Sequence, residues 1–173
     1  MRLAFLLPLA ALIFSGCAGY HVGPIKPKTM REVKTIAVPS FKNDTLEPRV
    51  EVLLANAVIK QIQQDGTYKV VREQDADAIL EASLDEIVRR PSRSVRGNVL
   101  ATREFTLILR VRYQVRDKSG RVLEQRGVNG QTSFFVSGTD TLGADVNQDE
   151  RQAFPLAAED MAVRLVSQIS EGW

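Results

Sequence analysis

Residues 102–117 alternate between apolar and polar positions over their whole length. Phe105, Leu107, Leu109, Val111, Tyr113 and Val115 fall on one side of a period of two. Glu104, Thr106, Arg110, Arg112, Gln114 and Arg116 fall on the other, with Ile108 the only exception. A helix would scatter these apolar residues around its axis, so the segment is a half-buried β-strand. Lys118-Ser119-Gly120-Arg121 follows, with Gly where a hairpin turn tolerates positive φ. Val122–Phe135 returns as a second strand, in which Gly127 and Gly130 suggest a bulge or twist. A long hairpin with one apolar face requires a second layer to cover it.

Two amphipathic helices can supply that layer. From Pro48 to Gln64 the residues Val50, Leu53, Leu54, Ala57, Val58 and Ile62 recur at three- and four-residue spacing, and Gly66 is a stop signal. Phe154, Ala157, Ala158, Met161, Ala162, Leu165, Val166 and Ile169 form a second stripe. Pro155 is tolerated only in a first turn, which predicts a helix start near Gln152 to Phe154 and a loop over Ser137–Asp149. Three further strands are predicted. In Val33–Phe41, Pro39 marks an edge or the strand's end, and Tyr68–Glu73 is short. Ala78–Arg89 alternates, with Ala78, Leu80, Ala82, Leu84 and Val88 on one side and Glu81, Ser83, Asp85, Ile87 and Arg89 on the other. The order β-α-β-β-β-β-α predicts an α+β two-layer sandwich, one mainly antiparallel or mixed sheet packed by two amphipathic helices. The 44% apolar and 25% charged residues suit an ordinary globular core.

The N-terminus has a different character. Arg2 precedes an apolar run from Leu3 to Phe14, interrupted only by Pro8. It is shorter than the roughly 20 residues of a membrane-spanning helix and matches the apolar core of a secretory signal. Phe14-Ser15-Gly16-Cys17 places small residues before the only cysteine in the chain, which is what a bacterial lipoprotein signal peptidase reads. The expected organisation is a lipoprotein signal peptide over 1–16, a lipidated tether over 17–32 with Cys17 as the lipid attachment site, and a single α+β domain over 33–173. By resemblance to Gram-negative lipoproteins, Ala18 after the cysteine, rather than Asp, implies sorting to the outer membrane.

The sequence contains no nucleotide, hydrolase or zinc-protease motif, and a single Cys and a single His exclude a Cys/His metal cluster. No enzyme activity, cofactor or metal is expected. The informative constellation is basic. Between Arg89 and Arg126 lie ten Arg and one Lys against Glu104, Asp117 and Glu124, a local net charge of +8 in a chain of +2 overall. Arg presents a planar fork suited to phosphate or carboxylate. Two readings stand. One is a solvated sheet face whose arginines pair across strands with carboxylates such as Glu81 and Asp85. The other is a binding face for an anionic partner, and the export signal makes nucleic acid a poor candidate for that partner.

Several motifs, in order, resemble the lipopolysaccharide-assembly lipoproteins (the LptE family). They are Cys17-Ala18-Gly19-Tyr20-His21, the Val33–Phe41 strand and the helix after it, and Ser94-Val95-Arg96-Gly97-Asn98. Glu104-Phe105-Thr106-Leu107, Asn147-Gln148-Asp149 and the Ala-rich final helix complete the series. The resemblance implies an outer-membrane lipoprotein, held by its N-terminal lipid, that faces the periplasm and the lumen of an LptD-like outer-membrane β-barrel and binds lipopolysaccharide. It further implies that Arg96 contacts lipopolysaccharide; the local charge adds Arg93, Arg110 and Arg112 as companion candidates. A second basic residue expected before the last helix is absent from Gly143-Ala144-Asp145, and the Arg110/Arg112 ladder is the substitute this chain offers. The stretch VKTIAVPSFKND is also similar to other periplasmic adaptor lipoproteins, including activators of cell-wall synthases. The long aromatic-led hairpin with its arginines separates the two readings in favour of transport.

Overall fold

The computed structural model describes residues 26–93, 103–136 and 144–171. Its elements are β1 (Thr35–Ala37), β2 (Lys42–Asn43), α1 (Val50–Asp65), β3 (Lys69–Val70), β4 (Ala78–Arg93), β5 (Arg103–Asp117), β6 (Val122–Val136) and α2 (Ala144–Glu171). The strands form one mixed sheet in the order β3-β1-β4-β5-β6, and β2 pairs with β4 further along the same edge as β1. β1, β2 and β3 make parallel pairs, whereas β4, β5 and β6 form an antiparallel meander. Both helices lie on one sheet face, giving the expected α+β arrangement.

Helix α1 buries Val50, Leu54, Val58 and Ile62 of the expected stripe and Ala55 besides, with Leu53 and Ala57 half-buried against the core, and stops at Gly66. Gly66 has φ 75° and its N–H donates to the Ile62 carbonyl at 3.0 Å, a left-handed cap that glycine adopts without a Cβ clash. The inward residues of β5, Leu107, Leu109, Val111, Tyr113 and Val115, are all 2% exposed or less. They pack under Ala157, Met161, Leu165 and Ile169 of α2. Met30, from a short 3-10 turn at Lys28–Met30, is also in this core.

The structure departs from the sequence expectation in four places. Of the Val33–Phe41 strand only Thr35–Ala37 forms, as β1, ending before Pro39, and Lys42–Asn43 beyond it forms a separate short strand, β2. Helix α2 starts at Ala144, so Pro155 lies in its interior and 144–149 is helix rather than loop. Strand β4 continues to Arg93, and its alternation breaks at Asp85: Leu84 pairs with Val111 but Glu86 pairs with Arg110. This bulge inverts the faces of everything beyond it. Ile87 packs on the core, Val88 turns outward, and Arg89 turns to the helix side, opposite Leu107. Pro91 is tolerated because β2 stops pairing at Leu84, leaving this part of β4 an edge. Finally, neither Gly127 nor Gly130 marks a bulge. The register shift of the hairpin lies between Val115 and Arg116.

Gly130 instead marks the place where α2 touches the sheet. A Cβ there would sit 2.1 Å from the Ala157 carbonyl oxygen and 2.4 Å from Met161 Cβ. At the same crossing, the Gln131 N–H donates to Asp160 Oδ2 at 2.9 Å, so α2 also occupies a donor on the outer edge of β6.

Candidate functional site

The sheet has one face under the helices and one open. On the open face, each arginine of β5 meets a carboxylate of β4. Arg110 Nη1 donates to Glu86 Oε2 at 2.6 Å, and Arg116 Nε to Glu81 Oε2 at 3.2 Å. Arg112 holds Asp85 through both Nε and Nη2, the latter at 2.8 Å from Oδ1. Asp85 keeps the outward side that the alternation gives it, and the bulge adds Glu86 to the same side, opposite Arg110. The Arg112 hydrogen bond lowers the Asp85 carboxyl below its ordinary value, helped by the Ser83 hydroxyl, and Asp85 in turn raises the Arg112 guanidinium. Glu81, Asp85 and Glu86 of the preceding strand thus offset three of the +8 charges of the 89–126 stretch. Beside Arg112, a shallow polar cavity of about 350 Å³ is lined by Lys42, Asp44, Glu81, Ser83 and Gln114.

The two ends of the sheet differ. The chain enters at the β1 end, where Lys26 Nζ donates to the Val33 carbonyl at 2.7 Å and lies 4.4 Å from the Tyr68 ring centre. The Tyr68 hydroxyl donates to the Ile169 carbonyl at 2.5 Å. Asp77 fastens the same end, accepting from the Lys34 and Thr35 N–H groups at 3.1 and 3.0 Å. These bonds draw its carboxyl below the usual range. Arg93 ends the 16-residue β4, on the order of 50 Å away at about 3.3 Å per residue. That far end is closed on the helix side by Phe105 stacked on Phe134, 5.7 Å between ring centres.

Each predicted site residue can now be placed. Cys17 and Arg96 lie outside the described residues. The Arg93 backbone pairs with Glu104 at the far end of the sheet. Arg110 and Arg112 share the open face but are engaged by Glu86 and Asp85. Two residues not singled out from the sequence stand out here. Arg89, carried to the helix side by the bulge, donates from Nε to Glu150 Oε1 at 2.6 Å and lies 3.7 Å from Glu47. Glu150 is only 7% exposed. Arg90, on the open face opposite Thr106, makes no ion pair among the described residues. Its isolation could have been seen only by counting the acids that the neighbouring strand sets against each arginine.

Residues 33–169, from the strand before β2 through α2, match the family described as LptE, lipopolysaccharide-assembly. The chain belongs to the LptE family. No curated protein shows significant sequence similarity to this LptE-family chain. Its fold recurs in solved lipoprotein structures. Lipoprotein B from Nitrosomonas europaea is similar at 16% identity and a TM-score of 0.54, covering 88% of this chain and 90% of that one. The minor lipoprotein from Acinetobacter baumannii has 20% identity and a TM-score of 0.51, covering 79% and 90%. The PelC dodecamer from Paraburkholderia phytofirmans has 14% identity and a TM-score of 0.51, covering 87% and 95%. At these identities the likeness concerns the fold alone. Among the described residues no helix is long and apolar enough to cross a membrane.

Proposed function

We propose that the protein is an outer-membrane lipoprotein, acylated at Cys17, that partners an LptD-type β-barrel and binds lipopolysaccharide during its assembly into the outer leaflet. The observation that carries this reading is the LptE-family match across the whole sheet and both helices. The role is one of binding and positioning rather than catalysis. The domain organisation follows from the same reading: a signal peptide over 1–16, a lipidated tether over 17–32 and one domain over 33–173.

The arrangement of the ends supports it. A lipid on Cys17 would hold the β1 end near the membrane, and the segment bearing Arg96 departs from the other end. Arg96 and Arg93 are the proposed first contacts for lipopolysaccharide phosphates. Arg110 and Arg112 would join by exchanging partners. Exposed ion pairs are weak because water screens them, so a phosphate offering several charge-assisted hydrogen bonds at once would compete with Glu86 or Asp85.

The test is paired. The lipidated protein is purified from membranes and its partners identified. Lipopolysaccharide binding is then measured for the wild type and Arg96→Asp. The expected result is a stoichiometric barrel, a mature N-terminal residue carrying acyl chains, and weakened lipopolysaccharide binding by the variant with the barrel retained. An unmodified Cys17 thiol or the absence of a barrel overturns the reading. Lost barrel with unchanged lipid binding moves Arg96 from the ligand site to the protein interface.

A further inference from the structure

The open face of the sheet is polar and charge-balanced along most of its length, and this makes its far end conspicuous. There the bulge at Asp85 has turned Val88 outward, opposite Ile108, the one apolar residue on the outer side of β5. Two residues further along, Arg90 stands opposite Thr106, whose hydroxyl bonds that of Ser92 at 2.6 Å. Across β5, Thr106 pairs with Ser133, so Phe135 is its diagonal neighbour on β6. Phe135 is 59% exposed, with its ring on the outer side while Phe134 fills the core. Directly paired side chains are about 5 Å apart and diagonal ones about 7–8 Å. Val88, Ile108 and Phe135 therefore border one short strip that contains Arg90. Glu104, opposite Phe135, bounds it on the far side.

We propose that this strip is a binding site for an acylated, phosphorylated lipid. Arg90 receives a phosphate, and Val88, Ile108 and Phe135 receive the first methylenes of an acyl chain. The proposal rests on the lipopolysaccharide reading above and deepens it by assigning the acyl contact to the open sheet face. Two features choose this occupant. Arg110, Arg112 and Arg116 are each neutralised by a carboxylate, whereas Arg90 makes no ion pair among the described residues, so its fork is open to an anion. Val88 and Ile108 lie beside that charge; the other apolar residue on the outer sides of β4 and β5, Ile79, stands opposite Arg116, which Glu81 already holds. An amphiphile with an anionic head complements both at once. A neutral protein surface would leave Arg90 desolvated without a counter-charge, which is costly.

The experiment uses the full-length lipidated chain and three probes: a rough lipopolysaccharide, the same molecule fully deacylated, and the same molecule dephosphorylated. The variants are Phe135→Ser with Ile108→Thr, and Arg90→Gln. All three positions face solvent, and thermal unfolding checks that the fold is kept. The double variant is expected to weaken the acylated probe about tenfold, the loss of partial burial of two apolar side chains, and to leave the deacylated probe unchanged. Arg90→Gln is expected to weaken the phosphorylated probe about tenfold, one charge-assisted hydrogen bond, and to leave the dephosphorylated probe unchanged. If the wild type binds lipopolysaccharide and the variants bind all probes equally well, the strip is overturned and the function stands. If the wild type binds none, both are overturned. If the variants keep lipopolysaccharide binding but lose a co-purifying barrel, the strip belongs to the barrel wall and the lipid assignment is overturned.

Discussion

Gly130 carries the contact between α2 and the sheet. Its missing Cβ is what allows the Ala157 carbonyl and Met161 to reach the β6 backbone, and the small residues Ala157 and Ala158 complete the close approach. Gly130→Ala must push the helix off the strand, because the atoms in the way are backbone and Cβ rather than a flexible side-chain end. The expected destabilisation is about 1–3 kcal/mol, the usual cost of overpacking a well-fitted site. Gly127 is the control. A Cβ there meets only the Val111 carbonyl at 3.9 Å, so Gly127→Ala should be neutral or slightly stabilising. Urea unfolding of the two variants measures the difference, and equal midpoints would show that α2 does not rest on Gly130. Glycine in a strand has two common meanings, a bulge or a close approach of another backbone. The sequence alone favoured the first for Gly130, since the helix that makes it the second comes from a distant part of the chain.

At the scale of elements, the strands and helices follow from periodicity and the exceptions follow from single contacts. β5, β6 and α1 were legible almost to the residue, because each buries one face against a continuous core. The faces of β4 were legible only as far as Leu84. A one-residue bulge leaves no mark on composition, yet it moves Ile87, Val88 and Arg89 to the opposite side. The start of α2 was illegible for a related reason. Pro155 breaks the hydrogen-bond ladder and Asn147-Gln148-Asp149 has loop chemistry, but Glu150 pins these turns to Arg89 across the layer. The same displacement hid Arg90 as a candidate, while the pairing of Arg112 with Asp85 and of Arg116 with Glu81 matches the cross-strand reading. The helical turns before Ala153 and Phe154, which join the core, should then depend on this ion pair. Glu150→Gln replaces a charged acceptor by a neutral one and should cost about 1–2 kcal/mol locally. Amide hydrogen exchange is expected to quicken over 144–152 and to change little over 153–169, where the helix is held by its apolar stripe. Uniform exchange along α2 would mean that the pair is not what extends the helix.

For the whole molecule, the titrating groups that depart from their ordinary values sit mainly at joints between elements, and they set the pH range in which the fold holds. On the acid side, Asp77 ties the start of β4 to β1 through the Thr35 and Lys34 N–H groups, and Asp85 locks the bulge through Arg112. Asp117 closes the β5–β6 turn by accepting from the Ser119 hydroxyl and from the Ser119 and Arg121 N–H groups. All three are lowered in the folded state, so below the ordinary carboxylate value of about 4 the unfolded chain takes up protons first and stability falls with pH. On the alkaline side, burial raises Tyr68 and Tyr113, whose hydroxyls donate to the Ile169 carbonyl and to Gln168. The unfolded chain then loses its tyrosine protons first, so stability falls above the ordinary tyrosine value of about 10. The urea midpoint should be level between about pH 5 and 9 and decline on both sides. Asp77→Asn keeps an acceptor for the two N–H groups but removes the charge. It should lower the plateau and flatten the acid limb, leaving the alkaline limb unchanged. An acid limb as steep as that of the wild type would show that the β1–β4 joint does not draw its stability from the ionised carboxylate.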